Sequence, residues 1–313
     1  MTAHHQLHSS PKTVHWGFFD ASLSPVLSVD SGDTVTFHCV SGEPEDMPSD
    51  PFSVLPELHE IHLHSKRGPS PQILTGPVRV NGARAGDTLQ VNILDITLRQ
   101  DWGWNLIVPG LGTLPEDFRE ERRLHIPLDR RAKVAKLPWG MDLPLKPFFG
   151  VMGVAPLAEL GRVPSFPPGA HGGNLDNKEL VEGTTLFLPV WNDGALFSVG
   201  DGHAVQGEGE VCLTAIETAL SGTFELTVQK SLSIRFPRAE TPKHYITMGM
   251  APDLDDAARQ AVREMISLLG SVARLSPEDA YSLCSLALEL RVTQLVDGNK
   301  GIHAMMARHL LPG

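Results

Sequence analysis

Two short stretches, "SGDTVTFHCV" (31–40) and "AGDTLQVNILDI" (85–96), constrain the fold most strongly. Each opens with Gly-Asp-Thr, and apolar residues then alternate with polar ones: Val35, Phe37 and Cys39 in the first, Leu89, Val91 and Ile93 in the second. A period of two places all the apolar side chains on one face, which is the signature of a half-buried strand and not of a helix. "EGTTLFLPVW" and "GEGEVCLTAIE" are read as further strands, entered from Gly183 and Gly209. Asp33 and Asp87 sit where a carboxylate caps its own turn, and that reading outweighs a catalytic one. The chain holds 29 glycines and 25 prolines, mostly before residue 252, so short strands and turns should dominate there.

From Pro252 the period changes. In "DLDDAARQAVREMISLLG", Leu254, Ala257, Ala258, Val262, Met265, Ile266 and Leu269 trace one face at helical spacing, with aspartates in the first turn. "SPEDAYSLCSLALEL" opens a second helix, with Ser276 as N-cap, Pro277 at the first helical position and Asp279 three residues after the cap. The expected fold is β-rich α+β. A β-sandwich-like body with long central loops spans 1–251, and a C-terminal helical hairpin in 252–313 packs on it. The loop-rich, aromatic segment from Asp101 to Pro168 is where pocket walls are expected.

The formal net charge of −11 argues against a nucleic-acid or anionic-membrane binder, both of which need a basic face. Cys39, Cys212 and Cys284 are widely spaced, which fits a reducing compartment and speaks against a thiolate zinc site. No run approaches about 18 apolar residues, the length of a membrane span, and the first residues lack a signal-peptide core. The expectation is a cytoplasmic protein. A β body rich in edges favours a homodimer or larger homo-oligomer.

The chemistry concentrates in "GGNLDNKEL" (172–180) and "LFSVGDGHAVQGEGEVC" (196–212). Neither a Gly-x-Ser-x-Gly elbow nor a phosphate loop occurs. What remains is Asp176, Asp201, His203, Glu208 and Glu210, with Asn174 and Gln206 as amide partners. On an extended segment Asp201 and His203 share a face, and carboxylate plus imidazole is a ligand pair for zinc or a similar divalent ion. The competing reading makes Asp201 and Glu208 turn residues and His203 a hydrogen-bonded surface histidine. His62 and His64 would share a strand face and offer further ligands, while His4, His5 and His8 are read as a disordered tail.

The stretches "VHWGFFD", "LTGPVRVNGARAGDTLQVNILDI", "PFFGVMGVAP", "GGNLDNKELVEGTTLFLPV", "GALFSVGDGHAVQGEGEVCLTAIE" and "SPEDAYSLCSLALELRVTQLVDGNKGIHAM" together resemble the bacterial acetamidase/formamidase family over nearly the whole chain. The resemblance implies a β-rich body with a helical C-terminal part, and hydrolysis of short amides to a carboxylate and ammonia. Gly202, Val205 and Arg84 depart from the family pattern, and the stretch before "LTGPV" lacks a histidine that relatives tend to carry. Amide hydrolysis needs an activated water, a stabilised oxyanion and a proton for the leaving amine. On residue chemistry, Asp176, Asp201 and His203 are assigned to the metal, and Glu210, then Glu208, to proton transfer. Asn174 and Gln206 are assigned to the substrate or to the groups that orient it. The alternatives are hydrolysis of another C–N bond, such as that of a small lactam, or a binding member of the family without turnover.

Overall fold

The computed structural model describes residues 2–49 and 51–311. The alternation seen in the sequence becomes two packed sheets. Among the described residues the first sheet has nine strands, in the order His4–His8, Asp33–His38, Leu220–Gln229, Thr88–Leu98, Thr185–Pro189, Arg238–Glu240, His244–Ala251, Lys300–Ala307 and Glu289–Gln294. Only the first pair is parallel. The second sheet has eleven strands, and its centre is the strand Phe197–Val205 with Phe148–Gly153, Ile73–Val80 and Ile216–Thr218 beside it.

One continuous core joins the two sheets. Val35, Phe37, Leu89, Val91 and Ile93 from the first meet Val78, Val80, Phe149, Phe197 and Val199 from the second, all essentially removed from water. The first five are the period-two residues of the sequence, and the sandwich follows from burying one face of each sheet against the other.

The two C-terminal helices form as the sequence pattern requires. Helix Leu254–Val272 is capped by Asp253, whose side chain accepts from Asp256 N at 3.1 Å, and helix Pro277–Ala287 by Ser276, which accepts from Asp279 N at 3.1 Å. The first helix lies on strands His244–Ala251 and Lys300–Ala307, approaching so closely that a Cβ on Gly249 would stand 1.9 Å from Ala257 O. The segment after the helices departs from the expected helical part. It returns to the first sheet as Glu289–Gln294 and Lys300–Ala307. Ile302, Ala304 and Met306 face the helices while Met305 faces the sandwich core. That alternation in "KGIHAMMA" is a strand signal overshadowed by the helices before it.

Other expectations need correction. His4–His8 is an ordered edge strand paired with Asp33–His38, not a loose tail. His62 and His64 lie on the helix Pro56–His64, so they share no strand face; His62 Nε2 donates to Gly42 O at 3.0 Å, and His64 pairs with Glu60. The stretch from Gly209 reaches strand geometry only at Ile216–Thr218, and the segment 101–168 holds more strands than its composition suggests. No helix among the described residues is long and apolar enough to cross a membrane.

Candidate active site

The site is built where three strands of the second sheet meet. Phe148–Gly153 lies between Phe197–Val205 and Gly172–Asn174, with Phe148 opposite His203 and Val151 opposite Asn174. Gly172 and Gly173 have φ of 86° and 85°, values that side chains disfavour, so the chain turns sharply into Asn174 and Asp176. Gly150 is the floor. A Cβ there would stand 2.3 Å from Asp176 Oδ1 and 2.9 Å from both Asp201 Oδ2 and His203 Cε1.

Around this floor the structure collects Asp176, Asp201, His203 and Glu210, all picked out in the sequence, together with Glu217 and Asp297, which were not. His203 Nε2 lies 3.2 Å from Glu217 Oε2, 3.5 Å from Asp201 Oδ2 and 3.7 Å from Asp176 Oδ1. The other ring nitrogen is fixed. Gln206 Nε2 donates to Asp176 O at 2.8 Å, which turns its Oε1 towards His203 Nδ1 at 2.9 Å, so Nδ1–H is the donor. Nε2 therefore faces the carboxylates with either a proton or a lone pair. An imidazole whose far nitrogen is held in this way is oriented as a metal ligand.

Electrostatics set this cluster apart from an ordinary buried polar network. Burial, countered in part by His203, raises the Asp176 carboxyl to about 6. Burial raises Glu217 to about 8. Glu210 and Asp297 are carried well above the carboxylate range by burial and then by the charge of Asp176. On His203 burial acts downward, but the attraction of Glu217 and Asp201 prevails and holds the imidazole well above its ordinary value. Asn174 Oδ1, Asp176 Oδ1, Glu210 Oε2, Glu217 Oε2 and Asp297 Oδ2 are all buried acceptors without a donor. Unpaired buried acceptors cost on the order of 1–3 kcal/mol each, and more when charged. Two triads, Asp176–His203–Glu210 and Asp201–His203–Glu217, hold their ligand atoms within 4.8 Å of one another. The residues present thus fit a divalent cation: they supply surplus negative charge and oxygen and imidazole ligand atoms, and the ion would take the place of the proton on His203 Nε2.

Backbone strain points to the same residues. Asp176, Asp201 and Glu210 have φ of 45°, 58° and 45°. Left-handed backbone costs a side-chain-bearing residue about 1–2 kcal/mol, and of the eight such residues among those described three fall in this one cluster.

The structure does not bring Glu208 to this cluster. Its carboxylate lies 3.3 Å from Lys178 Nζ and 3.6 Å from Arg291 Nη1, on the outer side of the loop whose inner side carries Glu210. Gln206 is brought in, but its amide is spent on Asp176 and His203. Asn174 faces the cavity. Glu217 carries no local signal, because its strand reads as a continuation of an apolar run, although it pairs directly with His203. Asp297 sits in "VDGNKG", which reads as a glycine turn; its amide is held by Gln294 Oε1 at 3.0 Å.

The cluster closes the inner end of a cavity of about 780 Å³, to which Asn174, Asp176, Asp201, Glu210, Glu217 and Asp297 all contribute. Trp104, Leu106, Leu111 and Phe166, from the central segment expected to supply pocket walls, line it further out.

Fold and site together define an antiparallel β-sandwich protein with a buried, cation-competent carboxylate–imidazole centre. The chain belongs to the acetamidase/formamidase family, whose model matches residues 3–165 and 161–306. It is 31% identical over 199 residues to a formamidase of Methylophilus methylotrophus, and 29% identical over 197 residues to an acetamidase of Mycolicibacterium smegmatis. These alignments cover 47% and 44% of this chain, and span about half the length of each relative, 49% and 48%. The crystal structure of an acetamidase from Bacillus halodurans superposes with a TM-score of 0.84 at 33% identity, covering 97% of this chain and 98% of that one. An acetamidase from Yersinia enterocolitica gives 0.87 at 28% identity, with 100% and 94% covered. A gamma lactamase from Delftia acidovorans, 23% identical with a TM-score of 0.64, shares the fold.

Proposed function

We propose that this protein hydrolyses a small linear amide to a carboxylate and ammonia, with a divalent cation, zinc by expectation, in the buried cluster. The observation that carries the reading is the convergence of four buried carboxyl-bearing residues, the half-buried Asp201 and one oriented imidazole, with orphaned acceptors, on the inner end of a cavity. Family membership and the names of the relatives support the reaction class.

Asp176, Asp201 and His203 would hold the ion, with Glu217 opposite His203 as a further ligand. When bound there, such an ion supplies Lewis acidity for the amide carbonyl and lowers the pKa of water. The remaining work falls to the chain itself. Gln206 fixes the His203 ring and keeps its Nε2 directed at the reaction centre. Asn174 Oδ1, buried and free to accept, takes an N–H of the substrate carboxamide and so orients it. Glu210 holds a proton at its buried Oε2 and passes it to the departing nitrogen, because ammonia leaves far more readily than amide anion. The apolar walls lower the local dielectric at the inner end and strengthen each of these contacts.

Ammonia release from formamide, acetamide and propionamide, with and without a chelator, tests the proposal alongside elemental analysis of protein purified without added metal. Turnover that is lost on chelation and restored by a divalent ion is expected. Full activity in metal-free protein would remove the ion from the mechanism, and no ammonia from any amide with the ion bound would remove the reaction.

A further inference from the structure

The cavity is too large for formamide or acetamide alone. Cavities of about 300–1,000 Å³ accommodate ligands of drug size, and this one measures about 780 Å³. Its inner end carries buried, unpartnered Asn174 Oδ1 and Glu217 Oε2, which mark where a ligand's polar head goes. The space then runs outward past apolar walls to a charged rim. The rim holds Glu43, Glu45 and Asp46 from the short helix Pro44–Asp46 and its N-cap, Glu121 and Arg123 from beside and within the strand Arg122–Asp129, and Arg67.

The charges on this rim do not balance. Arg67 pairs with Glu43 and reaches Glu45 at 3.6 Å; Arg123 lies 3.3 Å from Asp46 and 3.2 Å from Glu121. Four carboxylates thus share two guanidinium groups, which leaves the rim with an excess of negative charge, and Glu45 and Glu121 are the more exposed members of the two clusters. Both arginines are already engaged twice, so neither is free to receive an anionic group. A cleft of one sign with low-dielectric walls focuses its field along its length.

We infer that the preferred substrate is a primary amide carrying a positively charged amine at the far end of a short apolar chain. The carboxamide seats at the inner cluster, the methylene chain lies along Trp104, Leu106 and Val108, and the ammonium reaches the carboxylates of Glu45 and Glu121. This inference deepens the proposed amide hydrolysis and rests on it for the inner end alone.

The test compares amides of nearly equal length that differ at the distal group: 4-aminobutanamide (cationic), pentanamide (neutral) and succinamate (anionic), with the homologues two methylenes longer as a second length. At low ionic strength the expected order of kcat/KM is cationic, neutral, anionic. The cationic amide should exceed its neutral isostere about tenfold, and the ratio should fall towards one in 0.5 M salt and in the E45Q/E121Q double variant. Because the readout is a ratio within one protein, a general loss of activity in the variant does not disturb it. A ratio below threefold at both lengths, with acetamide turned over, overturns the inference and leaves amide hydrolysis standing. If no amide is hydrolysed, the reaction assignment fails. The rim is then judged by calorimetry with n-pentylammonium and 1-pentanol: tighter binding of the ammonium supports it, and equal binding ends it.

Discussion

His203 and Glu217 face each other across an antiparallel pair, and their side chains turn to the same side so that Nε2 and Oε2 stand 3.2 Å apart. One strand step along, Asp201 adds its Oδ2 at 3.5 Å. Glu217 Oε1 meanwhile accepts from Ala215 N at 2.9 Å, which leaves Oε2 committed to the site. Replacing the carboxylate by an amide keeps the shape and the anchoring bond while removing a charge. Glu217→Gln is expected to lower kcat/KM at least a hundredfold, equivalent to about 2.7 kcal/mol of transition-state stabilisation. Metal content by elemental analysis should fall with it, and the melting temperature should be retained. Activity within threefold of the parent would take Glu217 out of the site.

Asp33 and Asp201 look alike in sequence and differ in what surrounds them. Asp33 Oδ1 accepts from Ala3 N at 2.7 Å and Oδ2 from Asp30 N at 2.9 Å, and these bonds hold its carboxyl below the ordinary range. It pins the edge strand and its turn. Asp33→Asn should cost about 1–2 kcal/mol of stability, as for lost local hydrogen bonds, with kcat per folded molecule intact. Asp201→Asn should leave folding in place and reduce kcat/KM at least a hundredfold. Denaturation curves and steady-state kinetics on both variants distinguish the two roles, and the reverse pattern would show that the wrong aspartate carries the chemistry.

Gly150 offers a test that touches no ionisable group. A Cβ at this position would collide with Asp176 Oδ1 at 2.3 Å and crowd Asp201 and His203. Gly150→Ala is expected to displace the carboxylates, cutting kcat/KM at least a hundredfold and lowering metal occupancy. An alanine variant that keeps parental activity and metal content would show that the carboxylates can shift without consequence.

How much of this was visible in the sequence depended on the range of the interactions involved. Val35, Phe37, Leu89 and Val91 announced their buried face by spacing alone, and Ser276 announced its helix by cap chemistry, because both signals are local. Asp201 and His203 were legible together because they are two residues apart on one strand. Glu217 and Asp297 were not, since they join the site through the pairing of His203 with Glu217 and through the return of the chain to the sheet after the helices. Glu208 shows the converse. It stands two residues from Glu210, but the left-handed backbone at Glu210, after Gly209 at φ 93°, sends the two side chains apart. Spacing assigns a side to a residue only while the backbone remains regular.

Away from the site, the neutral histidines of the interior make stability depend on pH. His15 Nδ1–H donates to Phe18 O and Nε2 accepts from Ser198 Oγ at 2.8 Å, so the neutral ring is fully used. Burial, only partly offset by the Phe18 carbonyl, lowers its pKa to about 4. His303 is lowered to about 3 by burial and then by Arg291, Lys178 and Lys146. Above pH 6.5 neither the folded nor the unfolded chain holds these protons, and the histidines add no slope. Between pH 6.5 and 4 the unfolded chain takes up a proton that folded His15 refuses. The unfolded state then binds more protons, and stability falls as the pH falls, by up to about 1.4 kcal/mol per pH unit for each such histidine. The raised carboxyls of the site contribute slopes of the opposite sign, so the informative quantity is the difference between parent and variant. His15→Gln should be less stable at pH 7, where a packed, hydrogen-bonded ring is lost, yet lose less further stability between pH 6.5 and 4.5, by about one proton's worth of slope. Urea unfolding at half-unit intervals measures this directly. Parallel curves for parent and variant would mean that His15 takes up its proton in the folded chain as readily as in the unfolded one.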